Sequence, residues 1–198
     1  MKACYEKGFH IAIILPDKTY VKELKEQGID FYFESPVITW DDFIGFKSLG
    51  VSDIFISGEL GFELNKISEI AKEENIQIRC YANIVQSSWG SEVGLKGFFI
   101  RPEDVDFYSK YIDVLEFYDA ENQQNVLYEI YFLDREWVGN LQEIIKGLQL
   151  KINNYYILGS EFARRRSECG KKCLKGSRCE LCDRLVELAL SLEESKDF

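Results

Sequence analysis

The sequence predicts an α/β fold, and three observations lead to that expectation. Strands and helices alternate along the chain, several strands are apolar at consecutive positions, and glycine or proline closes most of the units. A strand that is apolar on both sides is typical of a parallel sheet covered by helices. Six or seven such units are too few for a regular eight-fold barrel, which needs about 250 residues. We therefore expect a shortened or incomplete TIM-like (β/α) barrel, with an open doubly wound sheet as the alternative.

The first half of the chain supplies repeated strand–helix units. Gly28 is placed to end the first helix. Thr39 is placed to cap the second, and Asp41 and Asp42 stand at its positive end. Strands are expected over residues 9–15, 29–35, 51–57 and 76–83, and helices over 18–27, 39–49 and 62–75.

The second half is less regular. A polar, glycine-rich loop is expected at 86–97, and Pro102 marks the first position of a helix that follows a short apolar run. Further strands are expected at 98–102 and 112–119, helices at 102–111, 125–139, 140–148 and 179–194, and an extended piece at 153–162.

Four cysteines near the C-terminus carry the strongest chemical signal. Cys169, Cys173, Cys179 and Cys182 follow a C-x3-C-x5-C-x2-C spacing, and glycine and serine between them let the backbone fold back. Four converging thiolates suit zinc or an iron–sulfur cluster. Two disulfides, or thiols with no ligand, are the alternatives. The absence of a secretion signal favours a reducing cytoplasm and therefore a metal.

The charge around the cysteines differs from that of the rest of the chain. Residues 164–184 contain eight Lys or Arg and three acidic residues, a balance of +5 in a chain whose net charge is −10. A cationic shell lowers thiol pKa and offsets the charge of a four-thiolate site. Arg164, Arg165 and Arg166 also predict a contact with RNA or another polyanion, although they could instead balance the thiolates.

The remaining composition excludes several classes of protein. Hydrophobic residues make up 46% of the chain, enough for a packed core, and no apolar run approaches the length that crosses a bilayer. Dinucleotide and P-loop glycine motifs are absent from the sequence, and His10 is its only histidine. A hydrolytic triad therefore has little support.

Polar residues at the carboxyl ends of the predicted strands are the candidate substrate-binding group, since parallel α/β proteins bind ligands there. Glu34, Glu59, Asn83 and Arg101 occupy such positions. Arg101 could fork a carboxylate or phosphate, or form a salt bridge with Glu59 or Glu34. Glu59 could act as a base or cap the next helix, and Asn83 could bind substrate or hold the following loop.

Three stretches resemble one family. ISGELGFEL (56–64), FFIRPEDVDFYSKYIDVLEFY (98–118) and DREWVGNLQEII (134–145) are similar to segments of the collagenase-like peptidase family, unknown-type peptidase family thirty-two. The resemblance implies an α/β barrel. It also implies kinship with iron–sulfur proteins that act in oxygen-independent hydroxylation of tRNA or of ubiquinone precursors. Many members carry one or two cysteines after the residue equivalent to Asn83, where this chain reads IVQSSW.

Two hypotheses follow. In the first, the chain is a hydroxylase-like or RNA-modification-related enzyme with an iron–sulfur cluster. In the second, it is a non-catalytic binding or scaffold protein, with a possible protein partner, whose four cysteines form a structural zinc clip. Both divide the chain into a barrel-like domain, 1–160, and a basic cysteine-bearing segment with a C-terminal helix, 161–198.

Overall fold

The structure of the chain is a computed structural model. It describes residues 11–13, 18–29, 31–33, 36–85, 97–118, 123–134, 137–148, 151–154, 159–168, 182–184, 187 and 191.

The part of the chain that the structure describes contains five strands, each parallel to its neighbours and paired in chain order: β1 (Ile11–Ile13), β2 (Phe31–Phe33), β3 (Asp53–Phe55), β4 (Gln77–Tyr81) and β5 (Val114–Glu116). β1 pairs with β2, and β3, β4 and β5 form a three-stranded sheet in that order. Val37, which follows β2, bridges in parallel to Ile56, which follows β3, so the two sheets meet.

Helices connect these strands, as expected for an α/β protein. Short 3₁₀ turns at Gly58–Glu63 and Pro102–Asp104 lead into the helices that begin at Leu64 and Val105, and a π-helical turn at Glu129–Leu133 continues the helix that ends at Tyr128. The helices are α1 (Lys18–Glu26), α2 (Trp40–Ser48), α3 (Leu64–Glu73), α4 (Val105–Tyr108), α5 (Gln124–Tyr128), α6 (Leu141–Ile144) and α7 (Gly159–Glu168).

Local sequence signals fix the ends of the early helices. Thr39 caps α2 in a reciprocal capping box: its hydroxyl accepts from the Asp42 amide, and the Asp42 carboxylate accepts from the Thr39 amide at 3.0 Å. Gly28 adopts a positive φ of 65° just after α1, which glycine tolerates at no steric cost. Both boundaries were predictable from the residue types alone.

The two faces of the β3–β4–β5 sheet differ in chemistry. One face places Ile54, Ile78 and Cys80 in the hydrophobic core with the inner sides of the helices. The other face presents Asp53, Arg79 and other polar or aromatic side chains, because successive residues in a strand point to opposite sides. The core therefore lies between the sheet and its helices, and the second face is chemically distinct.

The expected strand at 98–102 is reduced to a β-bridge at Phe98 and a hydrogen bond from the Ile100 amide to the Ala82 carbonyl at 3.2 Å. Phe98, Phe99 and Ile100 are completely buried, but β4 pairs directly with β5, and this run leads into the 3₁₀ turn at Pro102–Asp104 instead. A short apolar run predicts burial, and its periodicity alone does not separate a strand from another buried segment.

The expected extended piece at 153–162 is wrong over its last four residues. These belong to α7, which begins at Gly159. The boundary drawn between residues 160 and 161 falls within this helix, and the division into two domains stays a prediction.

The parallel α/β arrangement is confirmed, whereas the described strands do not close into a ring. Within the described ranges, no helix combines the length and the apolar character that a bilayer crossing needs.

Candidate functional site

The cysteine-bearing segment is held at both of its ends. α7 stops at Glu168, the residue before Cys169, and its Phe162 and Ala163 belong to the hydrophobic core. At the other end, Cys182 is partly buried and packs against the same core. The described residues on either side of the other three thiols, in α7 and at Cys182, therefore both contact the body of the protein.

Three of the predicted ligands, Cys169, Cys173 and Cys179, lie outside the described residues. Among the residues that are described, no group of three or more His, Cys, Asp or Glu side chains is placed to hold a metal ion. The donor chemistry of the four thiols fits zinc or an iron–sulfur cluster, and the anchoring of both ends is compatible with their convergence.

The three consecutive arginines of α7 take different environments. Arg164 and Arg165 are exposed, and Arg164 pairs with Glu168 at 2.9 Å. Arg166 is only 2% exposed, so the expectation that all three contact a polyanion needs correction at this residue. Successive side chains of an α-helix point about 100° apart, so three neighbouring arginines cannot share one direction.

Arg166 lies in an aromatic cage. Its guanidinium stands 4.9, 4.6 and 4.8 Å from the ring centroids of Phe62, Phe99 and Phe162. It also donates to the carbonyl oxygens of Phe99 and Gly97. Cation–π contacts gain strength when water is excluded, so this side chain fastens α7 to the body.

Arg101 finds its carboxylate within the chain. Its Nε and Nη2 donate to the two oxygens of Asp104 at 2.7 and 2.8 Å, and both side chains are fully buried. The guanidinium also lies 4.7 Å from the ring of Phe162. Among the described side chains its carboxylate partner is Asp104, three residues along, and the predicted salt bridge with Glu59 or Glu34 falls on side chains outside the described ones. The guanidinium of Arg101 therefore binds a carboxylate through two hydrogen bonds, and that carboxylate belongs to the chain itself.

The turn that carries Glu59 is shaped by two glycines. Gly58 has a positive φ of 58°, and a Cβ added to Gly61 would lie 2.3 Å from the ring of Phe98. Only the backbone of Glu59 is described, within the 3₁₀ turn, and Glu34 lies outside the described residues. Their roles as substrate ligands stay predictions.

Asn83 holds the segment that follows β5. Its Oδ1 accepts from the Tyr118 amide at 2.6 Å, and its Nδ2 donates to the Tyr118 carbonyl at 3.1 Å. The side chain is 1% exposed. The side-chain amide of Asn83 is therefore bonded to the backbone of the segment after β5, whereas the loop that follows Asn83 lies largely outside the described residues, so both predicted roles of Asn83 stay predictions.

Two buried tyrosines lie close to the Arg101–Asp104 pair. The Tyr131 hydroxyl donates to the Ile100 carbonyl at 2.9 Å. Burial raises the pKa of Tyr131 well above its ordinary value, and burial likewise raises the pKa of Tyr108. Both phenols therefore stay protonated in the folded protein at pH values where an exposed tyrosine ionises.

We expect the protein to lose stability steeply above about pH 10, the pKa of an unfolded tyrosine. The unfolded chain releases these protons while the folded chain retains them, so each buried tyrosine lowers the free energy of unfolding by about 1.4 kcal/mol per pH unit there. Urea unfolding at several alkaline pH values measures the slope. Tyr131→Phe should reduce it, and ionisation of Tyr131 near pH 10 in the folded state would contradict the prediction.

Sequence reasoning missed a polar cluster on the second face of the sheet. Arg79 of β4 stands between Asp53 of β3 and Glu116 of β5: its Nη1 lies 3.2 Å from Asp53 Oδ1, and its Nε donates to Glu116 Oε1 at 2.7 Å. Burial raises the pKa of Asp53, although the hydrogen bond from Arg79 opposes the shift. Part of the signal was present, since Arg79 and Glu116 each stand between apolar neighbours in their strands.

Aromatic rings continue this face toward the carboxyl ends of the strands. Phe55 contacts Tyr81 with ring centroids 4.5 Å apart, and Tyr81 contacts Tyr118 at 5.5 Å. Lys146 Nζ lies 5.8 Å from the Tyr118 centroid. Charged groups and aromatic rings thus approach the carboxyl ends of the strands, where parallel α/β proteins bind their ligands.

The fold and these sites define a parallel α/β protein with a polar face at the carboxyl ends of its strands. The chain is 28% identical over 105 residues to an uncharacterized protease of Methanocaldococcus jannaschii. The match covers 52% of this chain and 31% of the archaeal protein, so the chain spans less than two thirds of that relative. No family model and no solved structure matches the sequence. The comparisons thus connect half of the chain, loosely, with a peptidase-like family.

Proposed function

We propose that the chain is a divergent member of the collagenase-like peptidase family that binds a metal through Cys169, Cys173, Cys179 and Cys182. The observation that carries this proposal is the anchoring of both ends of the cysteine segment, by α7 and by Cys182. Fixed ends reduce the chain entropy that is lost when four thiols converge. The weak likeness to an archaeal protease supports the family assignment.

The parallel strands are those of an incomplete barrel in this proposal. Their sequential order, and the parallel bridge between Val37 and Ile56, support it. A substrate would contact the polar face that carries Arg79, Glu116 and Tyr118. The cofactor would be either an iron–sulfur cluster, which supplies redox chemistry in a hydroxylase-like enzyme, or zinc in a closed structural site.

Metal analysis after anaerobic purification separates these two versions. An iron–sulfur protein should be coloured and contain stoichiometric iron and sulfide, whereas a zinc clip should be colourless and contain about one zinc per chain. Cys169→Ser and Cys179→Ser should each lower the metal content, and Cys80→Ser, in the buried core, is the matched control. If the wild type and all three variants contained the same amount of metal, Cys169 and Cys179 would not be metal ligands.

A non-catalytic scaffold with a zinc clip is the second candidate, and the same anchoring favours it. A segment pinned at both ends and closed by metal would stabilise the attachment of α7 locally, because metal-binding energy becomes folding energy. Chelation should then expose the C-terminal region to proteases. An unchanged cleavage pattern after complete removal of zinc would exclude the clip.

We also propose that Arg164 and Arg165 contact RNA or another polyanion. They are exposed on a helix whose inner side is fixed, so they present two positive charges next to the basic cysteine segment. Replacing both with Ala should weaken binding to tRNA-sized RNA and reduce its dependence on salt, without changing metal content. Binding that is equal and insensitive to salt in both proteins, or absent from both, would contradict this proposal.

A further inference from the structure

Exposed large apolar side chains are concentrated in one part of the molecule. Of the seven such residues in the described part of the chain, five lie within residues 126–138, and their exposures range from 37% to 67%. We call these five residues the 126–138 patch: Val126, Tyr128, Phe132, Leu133 and Val138. Single exposed apolar residues are ordinary, but a contiguous group marks a surface that binds something.

The helical segment formed by α5 and the π-helical turn is apolar on two sides. Leu127, Ile130 and Tyr131 are buried in the core, while Phe132 and Leu133 face outward. A helix with apolar residues all round is normally covered on both sides. In the described part of the chain, the outer side of this segment is exposed to solvent.

A groove adjoins the patch. It has a volume of about 330 Å³ and lies between α4, the beginning of β5 and Phe132. Phe132 belongs to both features and contacts Tyr128 with ring centroids 5.3 Å apart, so patch and groove are continuous. The apolar lining of the groove comes mainly from Ile100, Val105, Tyr108, Ile112, Leu115 and Phe132. Helices dock in grooves of this kind by inserting apolar anchors.

Exposed charges around the patch and groove are mostly negative. Among the described residues, the acidic side chains are Asp106 and Asp113, beside the groove, and Glu129 and Asp134, on the patch helix. The basic ones are Lys110, just after α4, and Lys72, whose Nζ donates to the Lys110 carbonyl at 3.2 Å. The chain as a whole carries −10. Docking of a second copy of this chain would bring like charges together, which disfavours self-association.

We propose that the 126–138 patch and its groove bind an amphipathic helix with a basic polar side, supplied by another protein. Apolar residues of that helix enter the groove beside Phe132 and cover Leu133. Its Lys and Arg side chains meet Asp106, Asp113, Glu129 and Asp134. The inference is independent of the metal site and of any catalysis by the chain.

Two synthetic helical peptides test the proposal: one built of leucine and lysine, and its counterpart with glutamate in place of lysine. Calorimetry should show that the full-length protein binds the lysine peptide and not the glutamate peptide, and that added salt weakens the binding. Leu133→Asp should reduce the affinity at least about tenfold, as expected for a central apolar anchor. Ile44→Asp should leave the affinity unchanged, because Ile44 is exposed to a similar extent, 53%, on another helix.

Charge reversal gives a second test that leaves the apolar surface intact. The double variant Glu129→Lys with Asp134→Lys should weaken the binding of the lysine peptide and allow the glutamate peptide to bind. Equal weakening by Ile44→Asp and Leu133→Asp, or no binding of the lysine peptide at low salt, would overturn the proposal.

Other occupants of the surface give different results. A dimer that Leu133→Asp dissociates, detected by sedimentation, would show that a second copy covers the patch and would contradict the proposal. Peptide binding that appears only after residues 185–198 are removed would show that the chain's own C-terminal segment occupies the surface, which also contradicts it.

Discussion

Replacing Asp104 with asparagine is expected to lower the free energy of unfolding by about 3–5 kcal/mol, because breaking one member of a buried ion pair is strongly destabilising. Asparagine keeps the size of the side chain, so the change isolates the charge. It leaves the fully buried guanidinium of Arg101 without its bidentate carboxylate. Urea unfolding followed by circular dichroism measures the difference.

Asp106→Asn is the matched control, since Asp106 is exposed two residues further along. It should change the free energy of unfolding by no more than about 0.5 kcal/mol. A double variant, Arg101→Met with Asp104→Leu, should recover much of the loss, because an apolar pair often replaces a buried ion pair without cost. Similar effects of Asp104→Asn and Asp106→Asn would show that the pair is not buried as described.

Replacing Arg166 with alanine is expected to cost about 2–4 kcal/mol, in the range of large-to-small substitutions in a core. The change removes contacts with three aromatic rings and two carbonyl oxygens, and leaves a gap beneath α7. Limited proteolysis should also cut the C-terminal region sooner, since α7 loses its attachment to the body.

Two further variants separate the effects of position and of charge in the Arg166→Ala result. Arg165→Ala, at the exposed neighbouring position, should change stability by no more than about 0.5 kcal/mol. Arg166→Met retains most of the apolar volume without the charge, and should cost less than alanine does. If Arg165→Ala were as damaging as Arg166→Ala, the inward orientation of Arg166 would be wrong.

Signals within a few residues of each other predicted local structure well. The Thr39 cap, the positive φ of Gly28 and the parallel α/β class all follow from residue types and short-range patterns. The Arg101–Asp104 pair was also within reach, because R-P-E-D places a cation three residues before a carboxylate at the beginning of a helix.

Features that depend on distant residues were not predictable in the same way. Arg166 is buried because Phe62, Phe99 and Phe162 surround it, and these rings come from three separate parts of the chain. The apolar run at 98–100 favoured a strand in the sequence because a short run of apolar residues is the pattern of a buried strand and of other buried segments alike. Alternation with apolar residues indicated that Arg79 and Glu116 lie on the polar side of their strands, but only the parallel register brings them together with Asp53.

X-ray absorption spectroscopy of the metal in the purified full-length protein tests the central claim most directly. The proposal predicts a first coordination shell of four sulfur atoms, at about 2.3 Å for zinc. An iron–sulfur cluster would instead show iron coordinated by sulfur from both thiolates and sulfide. A shell dominated by nitrogen or oxygen, or a protein without bound metal after anaerobic purification, would contradict a site built from Cys169, Cys173, Cys179 and Cys182.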